Sequence, residues 1–301
     1  MLLLQVAHPT RMRACPTCHI SGPVSLCRSD IREHFGQQVQ SCQVRDNCRN
    51  GVDSYAQLPR LVVRFLNTSA HRVDWSTEME RLLLAAAEAG KDISPTAYPH
   101  AARYLRDALA RYPVRAKSVL VGGSITPWVE ATLAVAGAGS IQTSDYQERI
   151  VDSNITRFIH VGSIEEGSFD AVVSYSSIEH DGLGRYCDPV NPNGDLAAMA
   201  EFHHWLKPGG HLFLGVPIGP GEPYRIFGGN RHRIYGSQRF FQNLTRGFEL
   251  LYSGANVSET WPKGAGAERD AVRGAGMQPV HILQKPMGSH RLHGAMRAQT
   301  A

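Results

Sequence analysis

From Lys117 to Leu283, short runs rich in β-branched and aromatic residues alternate with helical runs, and this alternation limits the possible folds more than any other feature of the chain. A strand that returns parallel to its predecessor needs a long crossover, and a helix supplies one. The expected strands are Ser118 to Val121, Ser140 to Ser144, Arg157 to Val161, Ala171 to Tyr175 and His211 to Val216, with Phe248 to Tyr252 and Val280 to Leu283 completing seven. Thr126 is placed to cap, and Pro127 to open, a helix running to about Ala136. Another is expected from Leu196 to Leu206, with Leu196, Met199, Ala200 and Leu206 inward and a stop at Pro208, Gly209 and Gly210. The expected class is α/β, a doubly wound and mainly parallel sheet.

Residues 71–115 read as an N-terminal helical cover. Thr77 and Glu80 fit a capping box, and Met79, Leu82, Leu83 and Ala86 share a face before Gly90. A second helix follows Pro95, with Ala101, Tyr104, Leu105, Ala108 and Leu109 on one side and a stop at Pro113. Residues 1–70 mix Pro, Gly, Ser, Cys and Arg without sustained periodicity and are expected to be a poorly ordered leader. A Gly- and Ala-rich stretch, 254–277, reads as a flexible insertion in the main domain, 116–286, and 287–301 as a disordered tail.

Charge and composition narrow the partners. A formal net charge of +4 over 301 residues is too small and too dispersed for a phosphate-gripping stripe, so no nucleic acid is expected. No apolar run has the length of a membrane span. Met1 to Ala14 lacks the basic start, long apolar stretch and cleavage site of a secretory signal, so a cytoplasmic location is expected over a secreted one. Five of the six cysteines, Cys15, Cys18, Cys27, Cys42 and Cys48, lie in the leader. Cys15 and Cys18 have the spacing of half a zinc site, but Cys42 and Cys48 do not complete one regularly, and free thiols with no metal are expected.

In an open parallel sheet a ligand binds outside the carboxyl ends of the strands, near the point where strand order reverses. The turn after the first strand, Gly122-Gly123-Ser124-Ile125-Thr126-Pro127, lets a ligand approach the backbone and aims a helix amino end at it. Asp145, after the second strand, is placed to accept hydrogen bonds from both hydroxyls of a ribose, although a solvated strand-end residue has the same spacing. A dinucleotide site is disfavoured, because the turn lacks G-x-G-x-x-G.

Phe169-Asp170-Ala171-Val172-Val173, then Glu179-His180, then Leu206-Lys207-Pro208-Gly209-Gly210 resemble class I S-adenosylmethionine-dependent methyltransferases in order and spacing. The chain is similar, more narrowly, to the family first described from nematodes as domain of unknown function 268. The carrying residues are the run Glu179 to Pro189, Asn193-Gly194-Asp195, the run Asn230 to Gly236, and Gln278-Pro279-Val280. The resemblance implies a seven-stranded Rossmann-like methyltransferase sheet and S-adenosylmethionine as cofactor, held by Gly122, Gly123, Ser124, Thr126, Asp145 and Ser176. Departures are Val121, where many methyltransferases have an acid, and Ile125 and Pro127, where they have glycine; Cys187 replaces a glycine of the narrower family.

The loop after the fourth strand concentrates groups able to act on an acceptor. His180, with Glu179 beside it, can take a proton from an oxygen or nitrogen nucleophile, or simply shape the pocket. Asp181, Arg185, Tyr186 and Asp188, with Asn230, His232, Arg233 and Tyr235, are the candidate acceptor-binding groups. Arg185 and Arg233 have two readings, holding an acidic acceptor or tying the loops together through Asp181 or Asp188. His203 and His204 read as surface or packing residues. The expected activity is methyl transfer to a small-molecule or glycan-like acceptor. A non-catalytic binding protein of the same fold, or another nucleotide-dependent transferase using the same crevice, remains open.

Overall fold

The computed structural model describes residues 75–95, 98, 100–145, 151–185, 188, 190–220, 223–227, 231–254 and 278–288. The expected leader, most of the expected insertion and tail, Tyr186 and Asn230 lie outside them.

Two helices come first, α1 (Thr77–Glu88) and α2 (Ala101–Arg111). The central sheet contains β1 (Ser118–Gly122), β2 (Ser140–Ser144), β3 (Arg157–Phe158), β4 (Phe169–Tyr175), β5 (Leu206–Gly215), β8 (Glu249–Ser253) and β9 (Val280–Gln284). Helix α3 (Trp128–Val135) links β1 to β2, and α4 (Gly194–Trp205) links β4 to β5. The strands β6 (Tyr224–Phe227) and β7 (His232–Tyr235) form a separate antiparallel hairpin, which no sequence pattern announced.

The sheet order is β3-β2-β1-β4-β5-β9-β8. All neighbours from β3 to β5 are parallel, and β9 runs antiparallel between β5 and β8. The chain leaves β1 toward one edge and returns to β4 on its other side, so the reversal of order falls between β1 and β4.

Alternation along the strands gives the sheet two apolar faces. Val119 and Val121 face one core with Val173, Phe213 and Ile282, and α1, α2 and α3 cover it. Leu120, Val172, Leu212, Leu214 and Leu283 face the other, covered by α4 and by the π-helical turn Arg239–Leu244. At 20–33 cal/mol per Å² of apolar area removed from water, these faces supply the main driving force for the layered arrangement.

Local signals explain most element ends, and where they mislead the cause is tertiary. Ser76, rather than a Thr77–Glu80 box, caps α1, accepting from the Met79 amide at 3.2 Å. Glu80 is drawn instead to the backbone N–H of Asn154, at 3.1 and 3.2 Å. Helix α3 begins at Trp128 without a side-chain cap from Thr126. β3 is only two residues long, and Val161–Ser163 turns as a 3-10 segment. The buried stripe of α4 is Asp195, Ala198, Met199, Phe202 and Trp205, whereas Leu196 and Ala200 are half-buried. Asp195 turns that stripe inward, because its carboxylate meets Arg239 in the interior.

The motif residues Asp170 and Lys207 act at the end of the sheet away from the strands' carboxyl ends. Lys207 Nζ donates to Asp170 Oδ1 at 2.7 Å, and the Ser118 amide and hydroxyl donate to Oδ2 at 2.9 and 2.8 Å. Burial pushes this carboxyl up, but the bonds from Lys207 and Ser118 outweigh it and leave the pKa below its ordinary value. β5 consequently starts earlier than expected, at Leu206, with a register shift opposite β4 between Phe169 and Ala171.

Candidate functional site

An open cleft lies at the carboxyl ends of β1 and β2, beside the reversal of strand order. Gly122, Gly123, Ser144 and Asp145 line its sheet side, with Val161, Ser177 and Asp181 at the rim. Ala198, Glu201, Phe202 and Trp205 of α4 make the opposite wall. Its empty space, the solvent-facing part included, is about 480 Å³. One side is thus backbone and carboxylate, the other mainly aromatic, a combination suited to the sugar and base of a nucleoside.

The glycine turn is held from below. Gly123 N–H donates to the Ser144 carbonyl at 2.8 Å, joining the turn to β2. The indole N–H of Trp75 donates to the Ile125 carbonyl at 2.8 Å. Ser124 and Thr126 are buried beneath the turn, where Ser124 Oγ lies 3.0 Å from the Thr126 carbonyl and 3.2 Å from Glu130 Oε2. Neither side chain lines the cleft. Ser144 does line it, and its buried hydroxyl has no hydrogen-bond partner among the described residues.

Both glycines are required for close packing as well as for access. Gly123 has φ +76, and a Cβ there would meet Ser177 Oγ at 2.0 Å. A Cβ on Gly122 would lie 2.7 Å from the Phe202 ring. The side of Gly122 from which a side chain would project is therefore filled by Phe202.

Next to this cleft is a buried polar network. Ser176, at the end of β4, donates to Glu179 Oε1 at 2.6 Å. Burial pushes the Glu179 carboxyl up to about 7, against the Ser176 hydrogen bond and the Arg185 and Arg233 charges, which pull it down. Its Oε2 has no hydrogen-bond partner among the described residues. His180 Nε2 is 3.8 Å from Glu179 Oε1. This contact is not an ion pair at neutral pH, because burial, then the Arg185 charge and His232, hold His180 well below its ordinary pKa. His180 Nδ1 meets the Arg231 carbonyl, which also accepts from Arg185 Nη1 at 2.9 Å. With Nδ1 donating to that carbonyl, the lone pair is assigned to Nε2, on the Glu179 side.

The loop after β4 and the β6–β7 hairpin do come together, but largely through backbone. Arg233, fully buried, donates from Nη1 to the Asp181 carbonyl at 2.5 Å and from Nη2 to the Asn191 and Pro192 carbonyls at 3.2 and 3.3 Å. Asp195 takes Arg239 in a two-point pair, 2.5 and 3.0 Å, with Arg233 Nε 3.9 Å away. Its pKa stays low because the Arg233 and Arg239 charges outweigh its burial. Tyr235 is buried in the same region, and Asp188 accepts from the Gly184 amide at 3.1 Å. His232 sits edge-on to His180, its pKa lowered to about 3 by burial and by Arg185 and Arg231.

Of the candidate residues, the structure brings Gly122, Gly123, Asp145 and Asp181 to the cleft. It places Glu179, His180, Ser176, Arg185 and His232 in the adjoining network, and Arg233, Tyr235 and Asp188 among structural contacts. Burial, then the Asp188 charge, push the Asp181 carboxyl well above its ordinary pKa. Sequence reading missed Ser144, Val161, Ser177, Glu201, Phe202 and Trp205, and also Glu130 and Arg239. Only Ser144 carried a signal, standing next to Asp145 at the strand end. Among the described residues no group of three or more His, Cys, Asp or Glu is placed to hold a metal ion. None of their helices is long and apolar enough to cross a membrane.

The strand order, the single reversed strand β9 and the cleft at the ends of β1 and β2 define a class I methyltransferase fold, Rossmann-like and mainly parallel. Residues 116–263 match the family described as Caenorhabditis protein of unknown function, DUF268. No curated protein matches the sequence. Among solved structures, similarity is found to the Burkholderia thailandensis 1,6-didemethyltoxoflavin-N1-methyltransferase with bound 1,6-didemethyltoxoflavin and S-adenosylhomocysteine. That match has 16% identity and TM-score 0.45, covering 69% of this chain and 87% of the other. A Haemonchus contortus phosphoethanolamine N-methyltransferase gives 14% identity and TM-score 0.43, covering 66% and 45%. A Bacillus halodurans structure described as a methyltransferase gives 13% and 0.39, covering 61% and 99%.

Proposed function

We propose that the protein binds S-adenosylmethionine in this cleft and transfers its methyl group to a small-molecule or glycan-like acceptor. The observation that carries the reading is the placement of the Gly122-Gly123 turn, Asp145 and Ser144, whose hydroxyl has no hydrogen-bond partner among the described residues, around one cleft at the reversal of strand order. Asp145 would accept from the ribose hydroxyls, Ser144 would offer a further polar contact, and Val161, Phe202 and Trp205 would flank the base. When bound, the cofactor supplies an electrophilic methyl group on a sulfonium.

The chain's own contribution is positioning and proton handling. An in-line displacement needs its partners aligned and water kept out, which can be worth several kcal/mol without any covalent help from the protein. Glu179 and His180 lie behind the Ser177 and Asp181 rim. The Glu179 carboxyl, which titrates near 7, can take up or release a proton, and the neutral imidazole of His180 stands 3.8 Å from it, beyond direct hydrogen-bond reach. That arrangement suits an acceptor hydroxyl or amine that loses its proton as it is methylated.

A second reading, a ligand-binding protein without transfer activity, is favoured by one feature. Phe202 and Ser177 pack onto the glycines, so the two glycines are explained by internal packing alone. Calorimetric titration of the full chain with S-adenosylmethionine and S-adenosylhomocysteine separates the readings. The cofactor reading expects saturable binding of both, and no heat with either would defeat it.

A further inference from the structure

Glu130 is a fully buried carboxylate on α3 that the proposed reaction does not use. Its two oxygens reach different elements. Oε1 accepts from the Thr143 hydroxyl of β2 at 2.8 Å, and Oε2 lies 3.2 Å from the Ser124 hydroxyl of the glycine turn. Thr143 Oγ1 is in turn 3.1 Å from Thr156 Oγ1, just ahead of β3. The Ser124 hydroxyl has one hydrogen and two acceptors in reach, the Thr126 carbonyl and Glu130. A charged acceptor forms the stronger bond, so the carboxylate is the preferred partner.

A buried charge persists only if hydrogen bonds or opposing charge stabilise it. Glu130 stands in the first turn of α3, where the helix amino end is favourable to a carboxylate, and it has the two hydroxyls. The elements it joins carry the ligand side of the cleft: Ser124 follows Gly122 and Gly123, and Thr143 precedes Ser144 and Asp145. Val121, near the end of β1, is apolar and packed in the core.

We propose that Glu130 is a positioning residue which sets the separation between the glycine turn and Asp145, and so preorganises the cleft for a nucleoside-bearing cofactor. The functional part rests on the reading of the cleft given above, whereas the positioning does not. Two measurements on the full-length protein separate them. Hydrogen exchange without ligand compares wild type with Glu130→Gln, which keeps shape but places an amide where two hydroxyls donate. Exchange should quicken about tenfold at 122–126 and 143–145, the change expected from losing a hydrogen bond to a charged group. It should be unchanged at 171–175 and 211–215. Thr143→Val should behave likewise and Thr143→Ser as wild type, and these variants decide the matter should Glu130→Gln not fold.

Equal exchange everywhere, or uniform acceleration across the sheet, would overturn the positioning role. Titration with S-adenosylmethionine at a temperature where all variants are folded should then show about tenfold weaker binding by Glu130→Gln and Thr143→Val. Equal affinities would overturn the inference. Wild type that fails to bind would defeat the cofactor reading and leave the exchange comparison to decide the role of Glu130.

Discussion

Ser176 donates its hydroxyl to Glu179 at 2.6 Å from a backbone held at φ 53, the left-handed region that serine seldom adopts. The bond ties the end of β4 to the first buried acid of the following loop. A residue in this conformation is retained where its surroundings over-determine it, and the remaining Glu179 oxygen is left without a hydrogen-bond partner among the described residues.

Glu179 makes stability fall as pH rises. Its folded pKa of about 7 lies above the ordinary glutamate value of 4.5, so between these values the folded chain holds a proton that the unfolded chain has released. The contribution is fully present below 4.5 and is lost by pH 7. Histidines 232 and 281, both lowered to about 3, act in the opposite sense, since their stabilising neutrality is lost as pH falls below about 6.5. Glu179→Gln removes the first effect alone. Denaturant unfolding at pH 4.5 and pH 8 should show the variant gaining about 3 kcal/mol relative to wild type over that interval, and a pH-independent difference would contradict the assignment.

Asp145→Asn deletes the charge proposed to anchor the ribose while keeping shape and one acceptor oxygen. Hydrogen bonds to a charged group contribute about 1.5–3 kcal/mol, so affinity for S-adenosylmethionine should fall roughly tenfold to a hundredfold, with little change in melting temperature. Paired titrations decide it, and equal affinities would move the cofactor away from this cleft.

Asp195→Asn should cost about 3–5 kcal/mol of stability, because it leaves Arg239 and Arg233 buried beside a neutral group. Chemical denaturation is the direct measure. A loss below about 1 kcal/mol would mean that water reaches these guanidinium groups when the carboxylate is gone.

Gly122→Ala should destabilise by about 1–3 kcal/mol through overpacking against the Phe202 ring. Phe202→Leu should recover part of that loss in the double variant, although it costs stability alone. A double-mutant cycle tests the contact, and strict additivity would show that the ring moves aside freely. A freely moving ring would also remove the packing explanation for Gly122.

The sequence by itself determined the layered α/β sheet, five of its seven strands to within two residues, and a glycine turn at Gly122-Gly123 with Asp145 following the next strand. These follow from local causes: period-two burial, turn residues, and the requirement that a parallel sheet crosses over through helices. The ends of β3 and β5, and the buried stripe of α4, were decided elsewhere, by a short edge strand, a register shift and the docking of Asp195 on Arg239. The site divided in the same way. Candidate groups were visible by type, but nothing local could tell that Arg233 would be spent on the Asp181, Asn191 and Pro192 carbonyls, more than forty residues away in the chain. Nor could it tell that Phe202 would fill the space over Gly122, or that Glu130 would join Ser124 to Thr143. Those contacts depend on how each helix is rotated and seated on the sheet, which packing of the whole core decides and no short stretch of sequence encodes.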